Sequence, residues 1–412
     1  KLRVKIEVNQ FAKIDEATVY LEEFLLFVGD NNSGKTLLME LIYGIVKLIR
    51  EWDADSSKAK TIERPGMKQY SFAREWFKDT ENKINLYLQD YKEKFILDIF
   101  KYKISLGSIA IKFEDYEDLF YIGTIASKAS LEKQYREFIF EHFQASDDIL
   151  EIFMHRVLND IVGMHDKKQL FVPAARAGLQ MLYRYLFVET TSANAGLPLP
   201  VAEYLNFIQT YTQNMDLRLE EKDLVAFIEE QLLRGKVDYE NGQFIFRERD
   251  MNIPLNYASS MIHELSILPC VLKSSQKVEY IYYDEVENSV HPLLQGIVAR
   301  SLIRFCNMGM RLVVSTHSDT MAGKLNNLVL LARMKNIAER NKKLEKLGLT
   351  TKDMLDDSKQ IMVYEFIKNH EGKVKVQALE FMPYPKIGYA FDRFNKNIDQ
   401  LYDESNVIMG DV

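Results

Sequence analysis

Apolar and polar residues alternate from Leu2 to Val8, the period of a half-buried strand, and Ala17 to Leu21 offers a pairing partner. Phe24 to Val28 is apolar without interruption and ends on a glycine, which predicts a strand buried on both faces that runs into a turn. Beyond the turn, Leu37, Leu38, Leu41, Ile42, Ile45, Val46 and Ile49 recur at spacings of three and four, so Lys35 to Arg50 reads as a packed amphipathic helix.

Glu51 to Lys68 is polar, carries Pro65 and Gly66, and reads as a linker or mobile loop. Tyr70 to Leu170 mixes helical periodicity (Leu131 to Asp160) with short alternating runs at Lys101 to Leu106 and Ile109 to Phe113. Val201 to Arg234 is again helical, and Val237 to Arg247 predicts a hairpin turning at Asn241-Gly242, whose residues tolerate positive φ. From Val278 the pattern becomes strand (Tyr280 to Tyr283), helix (Leu293 to Cys306), strand (Leu312 to Ser315), the alternation of a parallel sheet. Ile337 to Asp357 is heavily charged and reads as a helix with a flexible end, while Ile361 to Ile367 and Val374 to Phe381 are placed to close the sheet.

Composition narrows the class. A chain of 412 residues that is 47% hydrophobic can bury one large core or two moderate ones. Its 53 basic residues against 60 acidic ones give a formal charge of -7, so no strong overall basic field draws it to nucleic acid, although a local patch stays open. Cys270 and Cys306 lie in apolar segments and read as ordinary buried thiols. Nothing resembling a secretion signal or a run of about 20 apolar residues is found, so a cytoplasmic protein without a membrane span is expected.

The candidate chemistry is concentrated in three short segments. Gly29-Asp30-Asn31-Asn32-Ser33-Gly34-Lys35-Thr36 fits G-x-x-x-x-G-K-[ST] at every fixed position. In such a loop the glycines turn backbone N–H groups toward phosphate oxygens, here with Asn31, Asn32 and Ser33 between them. Lys35 reaches the β and γ phosphates of ATP, and the Thr36 hydroxyl meets Mg2+. Tyr280 to Tyr283 delivers Asp284 and Glu285 to a strand end, where an aspartate can hold the magnesium and a glutamate can polarise the attacking water. Leu312 to Val314 likewise delivers Ser315, Thr316, His317 and Ser318, and His317 is positioned to contact a γ phosphate. Asp284 follows Lys35 by 249 residues, so the two halves of the site must meet across a long intervening stretch.

The order of these segments resembles the ABC-type P-loop ATPases of the OLD-like group. The likeness is carried by the loop, by Asp284-Glu285-Val286-Glu287-Asn288-Ser289-Val290-His291-Pro292, by Ser315-Thr316-His317-Ser318 and by Val172-Pro173-Ala174-Ala175-Arg176-Ala177-Gly178-Leu179, about a tenth of the chain. It implies an α/β fold, an ABC-type head with a mixed or parallel sheet built from 1–50 and 255–412 and interrupted by a mostly helical insertion with short strands at 51–254. It also implies a signature loop near Ala258 to Leu265, with Ser260 meeting the nucleotide of an opposing subunit. Met261 and Ile262 stand where transporter-type signatures have glycine, and the first turns of a core helix are the other reading of that segment. The resemblance implies a homodimer or higher homo-oligomer. No TOPRIM, zinc or HNH-type nuclease set is found in the sequence, so the expected role is that of ATPase subunits in anti-phage systems such as PARIS and Septu, controlling a nuclease supplied by another chain. A RecF- or SMC-like ATPase that clamps duplex DNA is the alternative, and a nucleotide-dependent scaffold with little turnover is a third.

Overall fold

The computed structural model describes residues 3–54, 60–64, 67–72, 74–115, 121–125, 149–164, 167–181 and 196–391. In chain order the strands used below are β1 (Arg3–Phe11), β2 (Ile14–Leu21), β3 (Phe24–Gly29), β4 (Lys60–Arg64), β5 (Met67–Phe72), β6 (Leu106–Glu114), β7 (Tyr121–Ile125) and β8 (Lys168–Val172). They continue as β9 (Lys236–Glu240), β10 (Gln243–Glu248), β11 (Met251–Pro254), β12 (Val278–Tyr283), β13 (Arg311–Thr316), β14 (Ile361–Lys368) and β15 (Val374–Ala378).

The fold is α/β around a nine-stranded mixed sheet ordered β6-β1-β2-β15-β14-β3-β13-β12-β8. From β14 to β8 neighbouring strands run parallel, whereas β6, β1 and β2 form an antiparallel block. Every residue of β3, β12 and β13 is buried, as the unbroken apolar runs require of strands covered on both faces. In β3, Phe24, Leu26 and Val28 pack with the helices Pro292–Asn307 and Asp319–Ala332, while Leu25 and Phe27 pack on the other face with the helix Lys35–Arg50. That two-residue alternation fixes which side of the sheet the phosphate-loop helix covers.

Three expectations about organisation change. The stretch 51–254 is not one insertion. β6 lies along the whole of β1, from Arg3 opposite Glu114 to Phe11 opposite Leu106, and β8 pairs in parallel with β12, so two strands of the main sheet come from inside it. Within the proposed linker, Lys60–Arg64 and Met67–Phe72 pair as a hairpin that β7 extends. β14 and β15 do not close an edge. β14 sits between β3 and β15, and β15 reaches β2 in parallel.

The predicted hairpin forms with Glu240 opposite Gln243 and left-handed Asn241 (φ 50) and Gly242 (φ 77) at its turn. Val201 to Arg234 divides into the helices Leu199–Gln209 and Leu219–Ile228 and a π-helical turn, Glu229–Leu233. Of the predicted helix at Leu131 to Asp160, residues 131–148 lie outside the described ones and Ile149–Ile161 is helical. The charged segment after Ile337 is docked rather than loose. Asp353 is fully buried, 3.0 Å from Arg300 Nε and 2.7 Å from Arg304 Nη2. Both cysteines are buried free thiols, and no described helix is long and apolar enough to cross a membrane.

Candidate functional site

The carboxyl ends of β3, β13, β12 and β8 lie level because their registers align. Val28 sits opposite Thr316, Tyr283 opposite Val314, and Val172 opposite Tyr283. Ligand sites of open parallel sheets form at this edge.

Gly29 to Thr36 leaves β3 here. Gly29 (φ 146), Asn32 (φ 58) and Gly34 (φ 94) have positive φ, and this alternation turns successive backbone N–H groups to one side. A Cβ on Gly29 would come within 2.9 Å of the Phe366 carbonyl of β14, so glycine is also required there by space. The loop curls around the Lys35 ammonium, which donates to the Gly29 and Asp30 carbonyls at 2.8 Å each and lies 3.4 Å from Ser33 Oγ. Burial pulls the Lys35 pKa below the usual lysine range, against the attraction of Asp284, Glu285, Glu287 and Asp30. Asp30, Asn31 and Asn32 are exposed at the lip of the loop.

Asp284 is 1% exposed and is held by two hydroxyls. Thr36 Oγ1 donates to its Oδ2 at 2.7 Å and Ser315 Oγ to its Oδ1 at 2.5 Å. Residues 248 positions apart in the chain therefore meet directly. Burial raises the Asp284 pKa, with Ser315 and Thr36 acting in the opposite direction. A buried carboxylate beside a threonine hydroxyl, with its charged form disfavoured, fits a divalent cation, which would favour ionisation by its own charge. Among the described residues no three His, Cys, Asp or Glu form a metal cage. Magnesium at this point would therefore rely on Thr36, Asp284 and phosphate oxygens, the usual sharing between protein and substrate. Nearby, burial and the Asp284 charge push the Glu40 carboxyl up to about 8.

Glu285 stands at a sharp elbow with φ 45, an uncommon conformation for a glutamate. Ser315 Oγ accepts from its backbone N–H at 2.8 Å, and Asn288 Nδ2 donates to its Oε2 at 3.1 Å. The elbow is held from behind by Arg176, which is fully buried. Its Nη1 donates to the Asp284 carbonyl at 3.0 Å and the Pro173 carbonyl at 3.2 Å, and its Nη2 to the Glu285 carbonyl at 3.3 Å. Its Nε lies 2.7 Å from Glu264 Oε2, and the guanidinium sits over the Tyr283 ring at 4.7 Å. A planar fork of fixed donors can satisfy this set, and an ammonium cannot. Arg176→Lys is expected to lower stability by about 1–3 kcal/mol through donors lost to buried carbonyls, measured by denaturant unfolding; a change below about 0.5 kcal/mol would show that the fork is dispensable.

His317 follows β13. Its backbone N–H donates to Glu287 Oε1 at 2.7 Å, and its Nδ1 lies 2.9 Å from the same oxygen. Glu287 raises the His317 pKa against the effect of burial. Burial opposes ionisation of Glu287, but the His317 side chain and N–H hold it below the usual carboxylate range. The paired imidazole is one-third exposed and lies within electrostatic reach of Lys35 and Glu285, and in its protonated form it is a hydrogen-bond donor. Ser260 is not brought to the phosphate loop of its own chain. It opens the short helix Ser260–Leu265, exposed, with Ser259 Oγ accepting from the Ile262 N–H at 3.4 Å as the N-cap. The same helix carries Glu264, and so joins Arg176.

No protein-family model matches the chain, and no curated protein matches it. Among solved structures it is similar to SMC head domains. One, the SmcHead bound to the C-winged helix domain of ScpA, is 10% identical over 91% of this chain and 97% of that chain, with a TM-score of 0.38. The SMC head domain from Thermotoga maritima is 10% identical over 91% and 98% at 0.34. The Smc head domain with an extended coiled coil, bound to the C-terminal domain of ScpA derived from Pyrococcus furiosus, is 10% identical over 98% and 100% at 0.38. A likeness this distant transfers no residue role.

Two contributors escape a reading of the sequence. Arg176 lies in a segment noticed for its resemblance, but nothing in the spacing marks its side chain as the buried link between Glu264 and the elbow. Lys13, in the β1–β2 turn, donates to the Asn32 carbonyl at 2.6 Å and so adds a cation to the lip of the loop. No local pattern connects it to residues in the next turn.

Proposed function

We propose that this chain is an ABC-type P-loop ATPase head that binds Mg-ATP in the Gly29–Thr36 loop and hydrolyses it. The carrying observation is the direct contact of Thr36 with Asp284, with Lys35 and Glu285 near enough to act on the Asp284 charge and on His317. Lys35 faces the terminal phosphates, and the loop N–H groups hold them. Glu285 orients a water and accepts its proton as the water oxygen bonds to the γ phosphorus and the bond to the β–γ bridging oxygen breaks, ADP leaving, and His317 donates to a γ oxygen. Bound magnesium supplies charge neutralisation at the phosphate oxygens.

The exposed N-terminus of Ser260–Leu265 suits a contact made in trans, with two heads enclosing nucleotide between them. On this reading ATP closes a homodimer and hydrolysis reopens it, and the cycle controls an effector on another chain, a nuclease in an anti-phage role. Glu285→Gln protein in Mg-ATP is the material for the test, with the mass of the complex and copurifying proteins as readouts. A doubled mass that depends on ATP, with a nuclease retained, is expected. A monomer under all conditions would remove the dimer, a nuclease-free complex would remove the effector role, and salt-sensitive retention of duplex DNA would favour the clamp.

A further inference from the structure

A cavity lies away from the sheet edge, between the helix Leu219–Ile228 with its π turn and the antiparallel β9-β10-β11 sheet. It has a volume of about 940 Å³ and is open to solvent. Its walls carry five cations, Lys222, Arg234, Lys236, Arg247 and Arg249, against two carboxylates, Glu229 and Glu230, in a chain whose formal charge is -7. Glu229 is occupied on its inner side by Lys273 Nζ at 2.5 Å and the Val237 N–H at 3.1 Å, and Arg247 by Asp238 and Glu240. Lys222, Arg234, Lys236 and Arg249 have no ion-pair partner among the described residues.

Two of these cations are kept at a backbone cost. Arg234 (φ 53) ends the π turn in the left-handed region, a position where glycine is favoured. The adjacent glycine, Gly235, is fixed by packing, since a Cβ there would meet the Phe246 ring at 2.4 Å and the Arg247 carbonyl at 2.7 Å. Arg249 (φ 50) is the first central residue of the two-residue turn between Glu248 and Met251, again a glycine position. Folding thus places two arginines where glycine would relax the backbone, and both open onto one cavity beside a π-helical turn, a feature frequent at functional sites.

We propose that this cavity binds a small, multiply charged phosphate ester of the nucleotide class, at a site separate from the Gly29–Thr36 loop. Its volume is that of small-molecule pockets. The apolar wall of Leu217, Val225 and Ala226 suits a sugar or base edge, and the free cations suit phosphates. A duplex, a convex rod, would meet a flat basic stripe better than a recess. β11 passes through Leu255–Tyr257 directly into the Ser259 cap and the Ser260 helix, so ligand held here bears on the element that the proposed dimer uses; that consequence alone rests on the ATPase reading.

Inorganic tripolyphosphate is titrated calorimetrically into the whole chain carrying Lys35→Ala, which silences the phosphate loop, and into the same chain with Arg234→Gly and Arg249→Gly added. The first should bind at one site and the second at least about tenfold more weakly, while the glycines, relaxing two left-handed positions, should leave Tm equal or higher. No saturable heat with Lys35→Ala, equal binding by both chains, or duplex DNA bound without competition from tripolyphosphate would overturn the site. Mg-ATP binding by the Arg234→Gly, Arg249→Gly chain with Lys35 intact tests the phosphate loop separately. Its absence there would count against the ATPase reading and not against this one.

Discussion

Lys35→Ala should weaken Mg-ATP binding by at least about 100-fold, a loss of about 3 kcal/mol, because a desolvated charge-assisted contact to phosphate disappears. The ammonium is held by two loop carbonyls and is 5% exposed, so on the proposed reading it would meet a triphosphate without reorganising. Its removal also leaves Asp284 without an opposing charge, and the Asp284 pKa should rise beyond its already raised position. A carboxyl whose folded pKa is raised contributes stability below its unfolded value and loses it as pH rises through the folded one. Removal of the buried ammonium also relieves its own desolvation, so the test is the trend: the melting temperature of the variant relative to the unmodified chain should fall as pH rises from about 4 toward neutral. Calorimetry and melting curves across that range read both effects. Binding within threefold of the unmodified chain, in a folded variant, would show that Lys35 does not face the phosphates.

How far the sequence shows this arrangement depends on the range of the forces that make it. The loop, its helix, the Tyr280–Tyr283 strand with its two acids and the Ser315–Ser318 segment are legible because each is set by neighbours a few residues away: glycine conformations, apolar runs, strand ends. Sheet order is not. Whether Leu106–Glu114 pairs with β1 or stays in a separate unit depends on burying Ile109, Ile111 and Phe113 beside Val4, Ile6 and Val8, a long-range packing outcome with the same local pattern either way. Asp353 shows the same limit for charge. In a run rich in lysine and glutamate it reads as solvated, and only the fold places Arg300 and Arg304, one helical turn apart, against it. Arg176 is the functional counterpart. Its role exists only once β8, β12 and the Ser260–Leu265 helix come together around it.

Glu285→Gln should preserve Mg-ATP binding and slow hydrolysis by about 10²- to 10³-fold, the loss expected when a general base becomes a neutral amide of the same shape. The substitution leaves the elbow intact, since the Ser315 contact and the Arg176 contact are both made to the backbone of residue 285. It also removes a like charge from beside Asp284, where the Glu285 carboxylate is one of the influences raising the Asp284 pKa. Asp284 should then ionise more readily, so affinity for Mg-ATP should equal or exceed that of the unmodified chain while kcat falls. That opposite movement separates a base from a structural support. Damage to the elbow would weaken binding and hydrolysis together, and loss of the base weakens hydrolysis alone. Single-turnover rates beside calorimetric affinities make the distinction; hydrolysis at the unmodified rate would transfer the base role away from Glu285, with the adjacent His317–Glu287 pair the next group to examine.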